Sequence, residues 1–398
     1  MQPRDYQLVG ALEGYKILKK YGIVYYAWQE RCGKTLTALA LCEMTKANKI
    51  LIVTKKKAIK GWTETLGQFE HKKRYIVINY HSITKIKDDF DLVILDESHS
   101  SGLASSPKVG KIWKDVFPYT KGKPLIYLSA TPYPEHLGQL YHQFALSSWS
   151  PFKQYRNFYR FFDALGLPYK TRTPYGLVET YTRYKDDEIL SQVEHLFLHK
   201  TRSELGFEQE PEDVVHYYSQ SPGIAKLQKE IIRTEMFRMN DIEIPLDSPM
   251  KLRVVAYQIE GGWVKTDSGC IELSYKDRIE AIKQDFGDGE DCVIMAHFTC
   301  EQDKLKSYFP KALVVSSTAE AEGVDYSHIE NLIIYSMDFS TGRFQQRRAR
   351  QANFLRKSAI KVHFYFAKGS VSEAVYETVA KKSQNFIKNS FERWAHKL

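Results

Sequence analysis

Trp28-Gln29-Glu30-Arg31-Cys32-Gly33-Lys34-Thr35 follows the apolar run Ile23 to Ala27 and precedes the helix-prone stretch Leu36 to Cys42. A buried strand, a loop closing on Gly-Lys-Thr and a helix form the setting in which backbone amides cradle phosphate groups, with the positive end of a helix dipole behind them. In such a loop Lys34 reaches the β and γ oxygens and the Thr35 hydroxyl ligates magnesium, while Arg31, Cys32 and Gly33 line the cradle. The usual first glycine of the pattern is Trp28 here, so the loop alone does not decide between a phosphate site and an ordinary strand-to-helix turn. Its neighbours decide.

At the end of the run Leu92 to Leu95 stand Asp96-Glu97-Ser98-His99. A carboxylate pair at the C-terminal edge of a buried strand is costly unless it binds something, and ligands of open α/β sheets collect at that edge. Asp96 is placed to hold magnesium through water and Glu97 to orient or deprotonate an attacking water. The alternative, a solvated acidic turn, fits poorly behind a Gly-Lys-Thr loop. Ser129-Ala130-Thr131-Pro132 closes the run Leu125 to Leu128, where the hydroxyls of Ser129 and Thr131 can hydrogen-bond the acidic motif and couple it to a second lobe.

The same rhythm of short apolar runs separated by helical stretches extends over Ile50 to Thr54 and Tyr75 to Asn79, and returns at Cys292 to Ala296, Leu313 to Ser316, Leu332 to Tyr335 and Val362 to Phe366. Buried parallel strands read this way. Two separate parallel sheets, each wrapped by helices, account for both series, and 398 residues exceed the roughly 250 to 300 that one core supports. Between them, residues 150 to 270 show no comparable strand series and are expected to hold a helical insertion and a linker. The acidic, proline-containing stretch Phe207 to Asp213 marks a crossing between lobes, and Asp267-Ser268-Gly269 suits a small hairpin. The aromatics Tyr155, Phe158, Tyr159, Phe161 and Phe162 fit packed core at helical spacing, with base stacking as the alternative.

An excess of 57 Lys and Arg over 48 Asp and Glu, net +9, suits an anionic partner and equally a basic soluble protein. The five cysteines, Cys32, Cys42, Cys270, Cys292 and Cys300, contain no CxxC pair and indicate neither a zinc site nor a disulfide framework. With no secretory layout at Met1 to Gln7 and no apolar run near the roughly 18 residues of a membrane span, the expected setting is the cytoplasm of a bacterium or a phage-infected host.

These residues in this order resemble superfamily-two helicases and translocases, and the details lean towards the Swi/Snf-like branch, including its compact phage-encoded members of replication or recombination. The resemblance covers nearly the whole chain. It implies an α/β fold of two RecA-like parallel-sheet domains with a helical insertion between them: a lobe over 1–150, the insertion over 151–200 and a second lobe over 201–398. It also implies a nucleic-acid-stimulated ATPase using ATP and Mg2+ that moves along or unwinds nucleic acid, DNA favoured, duplex or single-stranded. RNA unwinding, and a nucleotide-gated binding or loading module without strand separation, are the alternatives.

Pro3-Arg4-Asp5-Tyr6-Gln7 is similar to the family's adenine-reading element, which assigns Arg4 and Gln7 to the base. Val53-Thr54-Lys55-Lys56-Lys57, with Trp62 downstream, resembles motif Ia, and Asn79-Tyr80-His81-Ser82 resembles motif Ib. This implies nucleic-acid contact for Thr54, Lys55, Lys56, Lys57, Tyr80 and His81. Cys292 to Phe298 is similar to motif IV, and Ser316 to Asp325 to motif V, which gives Ser317 and Thr318 to nucleic acid and Gly323 and Asp325 to the nucleotide. Asp338-Phe339 followed by Gln346 to Arg350 resembles the segment ending in motif VI. There Gln346 contacts nucleotide and Arg350 is the arginine that reaches the γ-phosphate. The second motif VI arginine falls on Asn353, so Arg347 is expected to supply that charge, with Arg356 as the other candidate. Lys368 to Tyr376 is similar to a Swi/Snf turn and helix.

Overall fold

The computed structural model describes residues 1–99, 102–104, 107–173, 176–239, 241–267, 269–317, 326–338 and 341–380. The chain divides into two compact units, Met1–Phe207 and Glu208–Leu398. Each is built on a parallel sheet, the two-domain RecA-like α/β class expected from the sequence.

The first unit runs α1 (Asp5–Tyr21), β1 (Ile23–Trp28), α2 (Lys34–Met44), β2 (Lys49–Thr54), α3 (Ile59–Gln68), β3 (Arg74–Asn79), β4 (Leu92–Asp96), α4 (Lys111–Thr120), β5 (Leu125–Leu128), α5 (Gln139–Phe144), α6 (Phe158–Leu165), β6 (Tyr169–Thr173), β7 (Gly176–Thr180), α7 (Asp186–Val193) and β8 (Phe197–Lys200). Its sheet has the order β3-β2-β4-β5-β1-β8. All five pairings are parallel, so the C-terminal ends of β1, β2, β4 and β5 share one edge. The central strands β1 and β5, and β4 up to Leu95, are apolar and buried because helices cover both faces. Helix α1 lies very close to β1: a Cβ at Gly10 would stand 2.4 Å from the Trp28 ring, and one at Gly14 2.0 Å from the Tyr26 hydroxyl.

The second unit runs β9 (Pro211–Tyr218), α8 (Pro222–Thr234), β10 (Met236–Met239), β11 (Ile242–Pro245), α9 (Pro249–Glu260), β12 (Trp263–Thr266), β13 (Gly269–Glu272), α10 (Asp277–Phe286), β14 (Cys292–Ala296), α11 (Thr299–Tyr308), β15 (Leu313–Ser316), β16 (Asn331–Ile334), α12 (Thr341–Arg348) and β17 (Ile360–Ala367). The parallel sheet has the order β15-β14-β16-β17-β9, and β12 and β13 form the hairpin expected around Asp267. Gly369, at φ 76°, turns the chain after β17 into a helix that begins at Val371.

Residues 150 to 270 hold more strand than the sequence suggested. Within 151–200, α6 and α7 are accompanied by the β6–β7 hairpin and by β8, which pairs with β1 and so belongs to the first sheet. Beyond it, β9 is an edge strand of the second sheet. It begins with Pro211, whose missing N–H is tolerated at a strand start, and its mostly part-buried pattern, broken by Glu, Asp and His, lacks the apolar run by which buried strands are recognised. Phe158, Phe161 and Phe162 are core residues of the first unit, as the helical spacing indicated, while Tyr159 is exposed.

Candidate functional site

The phosphate loop connects β1 to α2. Gly33 takes φ 79°, and a Cβ there would meet the Gln7 amide at 2.2 Å, so both conformation and space call for glycine. Arg31 also takes a positive φ, 66°. The Lys34 ammonium donates to the carbonyls of Trp28 at 2.8 Å and Gln29 at 2.9 Å, which folds its side chain back over the loop. Trp28 does not obstruct the cradle: its indole is buried under α1, edge-on to Tyr26. Gln7, 4% exposed, accepts from the Arg4 backbone N–H at 2.9 Å and donates to the Gly33 carbonyl at 3.1 Å. Gln7 thus ties the start of α1 to the loop, with one amide hydrogen and one lone pair left for a base.

Asp96 ends β4, two strand spacings from β1 and its loop, with β5 lying between. Its Oδ2 accepts from the Thr54 hydroxyl at 2.7 Å and the Trp62 indole at 2.8 Å. Burial raises this carboxyl above its ordinary value, against the pull of those two bonds and of the Lys34 and Lys55 charges. Thr54 and Tyr80 therefore do something other than the nucleic-acid contact expected of them. Both are buried, the Thr54 hydroxyl on the carboxylate and the Tyr80 hydroxyl on the Asp96 carbonyl at 2.7 Å, so neither reaches a ligand outside the core. The sequence placed Trp62 in the same motif but gave no sign of its bond to Asp96.

Glu97 follows with φ 51°, its N–H bonded to the Leu128 carbonyl at 2.8 Å. His99 stands beside it, Nδ1 3.5 Å from the Glu97 carboxylate and 2.7 Å from the Ser129 hydroxyl, with Nε2 3.5 Å from the Thr131 hydroxyl. Burial, reinforced by the Lys55 and Lys34 charges, pushes the imidazole down to about 3, so it is neutral. Ser129 and Thr131 thus meet the acidic motif through His99, a residue the sequence reading quoted without a role. Ser98 is bonded into the core by Tyr25 and Gln143. Of the expected nucleic-acid contacts, Lys56, Lys57 and His81 are exposed beyond the ends of β2 and β3, and Lys55 is half-buried.

Thr35 and Asp96 offer a hydroxyl and a carboxylate, hard oxygen donors of the kind Mg2+ takes alongside phosphate and water. Asp96 keeps Oδ1 for this once Oδ2 is bonded to Thr54 and Trp62. The residues fit the ion. No group of three or more His, Cys, Asp or Glu that could hold a metal by themselves occurs among the described residues.

In the second unit the C-terminal strand edge gathers a different set. Arg347 is fully buried, 3.1 Å from Asp338 and donating to the Ser317 carbonyl at 2.7 Å. Arg343 holds the other Asp338 oxygen at 2.6 Å. Burial opposes ionisation of Asp338, but the Arg347 and Arg343 charges outweigh it and leave the carboxyl below its ordinary value. Arg347 therefore braces the strand ends rather than presenting a catalytic charge, and Ser317, also fully buried, is not placed to touch nucleic acid. Arg356 donates to the carbonyls of Ser327, Ile329, Glu330, Ser358 and Ala359, which removes it as the second motif VI charge. Arg350 and Gln346 lie in the turn region after and within α12, both largely buried. Thr318, Gly323, Asp325 and Phe339 lie outside the described residues.

Residues 52–134 match the family described as "Type III restriction enzyme, res subunit", a span that holds the acidic and Ser-Ala-Thr motifs but not the phosphate loop. No curated protein matches the chain. Among solved structures, one titled "Crystal structure of Pyrococcus furiosus Hef helicase domain" is 13% identical over 95% of this chain and 98% of its own, with a TM-score of 0.49.

Proposed function

We propose that the chain is an ATP-hydrolysing nucleic-acid translocase or helicase of superfamily two. The observation that carries this reading is the convergence, on one sheet edge of the first unit, of a Gly-Lys-Thr loop, an Asp-Glu pair and a Ser-Ala-Thr turn bonded through His99. Lys34 exchanges its two carbonyl partners for the β and γ oxygens of ATP. Thr35 and Asp96 would hold Mg2+, which supplies charge neutralisation between those oxygens. Glu97 orients a water and takes its proton as the water oxygen attacks the γ-phosphorus; the bond to the β-phosphate oxygen breaks, leaving ADP and phosphate. Arg350 stabilises the charge that develops on the γ-phosphoryl group.

Lys55, Lys56, Lys57 and His81 contact the phosphates of DNA, the favoured partner, largely without sequence preference. The Swi/Snf-like branch is supported by Asp338 before Gln346 and by the turn and helix after Lys368. No described helix is long and apolar enough to cross a membrane.

The deciding experiment compares ATP hydrolysis by the wild type and Lys34→Ala with single-stranded DNA, duplex DNA and RNA as stimulators. Hydrolysis that one of these stimulates and that Lys34→Ala abolishes with the fold intact is expected. A folded Lys34→Ala that still hydrolyses ATP at the wild-type rate refutes the site. Stimulation by RNA alone selects the RNA helicase instead.

A further inference from the structure

We propose that Arg202 is a positioning residue of the phosphate loop and links that loop to the chain leaving the first unit; the proposal rests on the nucleotide reading of the loop given above. Arg202 follows β8, and its side chain is 7% exposed. Its backbone N–H donates to the Gln29 side-chain oxygen at 2.6 Å, and its guanidinium donates to the Glu30 carbonyl at 3.2 Å and lies 3.9 Å from the Glu30 carboxylate. The Gln29 N–H in turn donates to the Lys200 carbonyl at 2.9 Å. Both residues that open the phosphate loop are thus held by two residues at and just beyond the end of β8, Lys200 and Arg202.

The other side of Arg202 faces the end of the unit. Its carbonyl accepts from the N–H groups of Leu205 at 3.1 Å and Phe207 at 3.0 Å, and Phe207 is the last residue of the first unit. Gly206, at φ 81°, makes the turn that brings Phe207 back onto it. Gln29 is also a partner of Lys34, whose ammonium sits on the Gln29 carbonyl. Lys34, Gln29, Arg202 and Phe207 therefore form an unbroken chain of hydrogen bonds. When Lys34 turns to a phosphate, the Gln29 peptide loses a cationic partner, and the residue bonded to its side chain is the one that anchors the exit turn. One guanidinium nitrogen, Nη1, both donates to the Glu30 carbonyl and faces the Glu30 carboxylate, so the side chain braces Glu30 while the Arg202 backbone carries the link to Phe207.

The test uses the full chain and its Arg202→Ala, Arg202→Lys and Gln29→Ala variants, with amide hydrogen exchange at residues 29–34 and 201–207, with and without a slowly hydrolysed ATP analogue, beside steady-state ATPase kinetics. In the wild type the analogue is expected to change exchange in both segments. In Gln29→Ala, which removes the acceptor of the Arg202 N–H, the response at 29–34 persists and the response at 201–207 is lost. Arg202→Ala keeps that backbone link and removes the guanidinium beside Glu30, so kcat falls by up to about 100-fold with a smaller rise in KM, since displacement of a phosphate cradle by about 1 Å acts on the reacting geometry. Arg202→Lys, which keeps a cation beside Glu30, is expected to recover part of that loss, and if Arg202→Ala fails to fold, Gln29→Ala still tests the link.

A folded Gln29→Ala whose exit segment responds as in the wild type, or a folded Arg202→Ala with wild-type kcat and KM, overturns the proposal. If the wild type itself shows no response at 29–34, the nucleotide reading fails, and exchange without nucleotide judges the brace alone. Faster exchange at 29–34 in Arg202→Ala then upholds it, and unchanged exchange overturns it.

Discussion

Glu97 holds φ 51°, a left-handed conformation that costs a non-glycine residue of order 1–3 kcal/mol and that persists only where the surroundings enforce it. The Leu128 carbonyl enforces it from the backbone side, and neutral His99 stands against the carboxylate. Asp96 and Glu97, consecutive in sequence, are thereby sent to different surroundings: Asp96 into a buried site with Thr54 and Trp62, Glu97 towards the half-open edge where its side chain is 22% exposed. One carboxylate is suited to hold an ion and the other to meet a water. Glu97→Gln keeps the shape and removes the base, so ATP binding measured by calorimetry is expected to survive while phosphate release slows by roughly 10²- to 10⁴-fold. Loss of binding along with turnover would make Glu97 a ligand instead. The sequence told the two residues apart by their place at a strand end behind a Gly-Lys-Thr loop, but nothing in the string Asp-Glu-Ser-His predicts the sign of φ at Glu97.

At the scale of elements, legibility followed burial. Strands β1, β2, β4, β5 and β14 are covered on both faces and spell unbroken apolar runs, so their positions and parallel pairing were readable. Strands β8 and β9 sit at sheet edges, carry His, Lys, Glu and Asp, and take their place only from partners far along the chain. The buried charges of the second unit were illegible for the same reason. Glu301 lies in the first turn of α11 and looks like a solvated acid, yet it is 1% exposed and bonded to the Ser336 hydroxyl. Burial raises its carboxyl to about 7, against the hydrogen bond from Ser336 and the charge of Arg278. A folded value above the unfolded one means that the stability it contributes is fully present below about 4.5 and is lost as the pH rises through about 7. The second unit is therefore expected to be more stable at pH 5 than at pH 8, and Glu301→Gln to remove roughly 1–3 kcal/mol of that difference in denaturant titrations. An unchanged pH slope in the variant would assign the effect to another group.

For the whole molecule, the question is whether two parallel α/β units serve one reaction, and two sets of residues answer it differently. Lys55, Lys56 and Lys57 lie together beyond β2, and neutralising all three is expected to weaken DNA affinity evenly across sequences and to flatten its salt dependence, each lost phosphate contact lowering the slope by roughly 0.7 to 0.9. An unchanged slope would show that these lysines do not contact the DNA phosphates. Arg350 poses the sharper test because it belongs to the second unit, while Lys34, Asp96 and Glu97 belong to the first. The neighbouring arginines are engaged elsewhere: Arg347 is held by Asp338 and Ser317, Arg348 by Asp213 and the Pro211 carbonyl, and Arg356 by five backbone carbonyls, while Asn353 carries no charge. If Arg350 acts on the γ-phosphoryl group, the interaction is made chiefly in the transition state, when charge moves onto the leaving and equatorial oxygens. Arg350→Ala should then bind ATP almost as tightly as the wild type, since the first unit supplies the ground-state contacts. Turnover should nevertheless fall by roughly 10³- to 10⁵-fold, as loss of such an arginine does in phosphoryl transfer. Arg347→Ala, measured beside it, is expected instead to lower the melting temperature of the second unit, because it leaves Asp338 with one partner fewer in a buried site. An Arg350→Ala chain that hydrolyses ATP with undiminished nucleic-acid stimulation would place the transition-state charge on another residue and return Arg350 to the interior of its own unit.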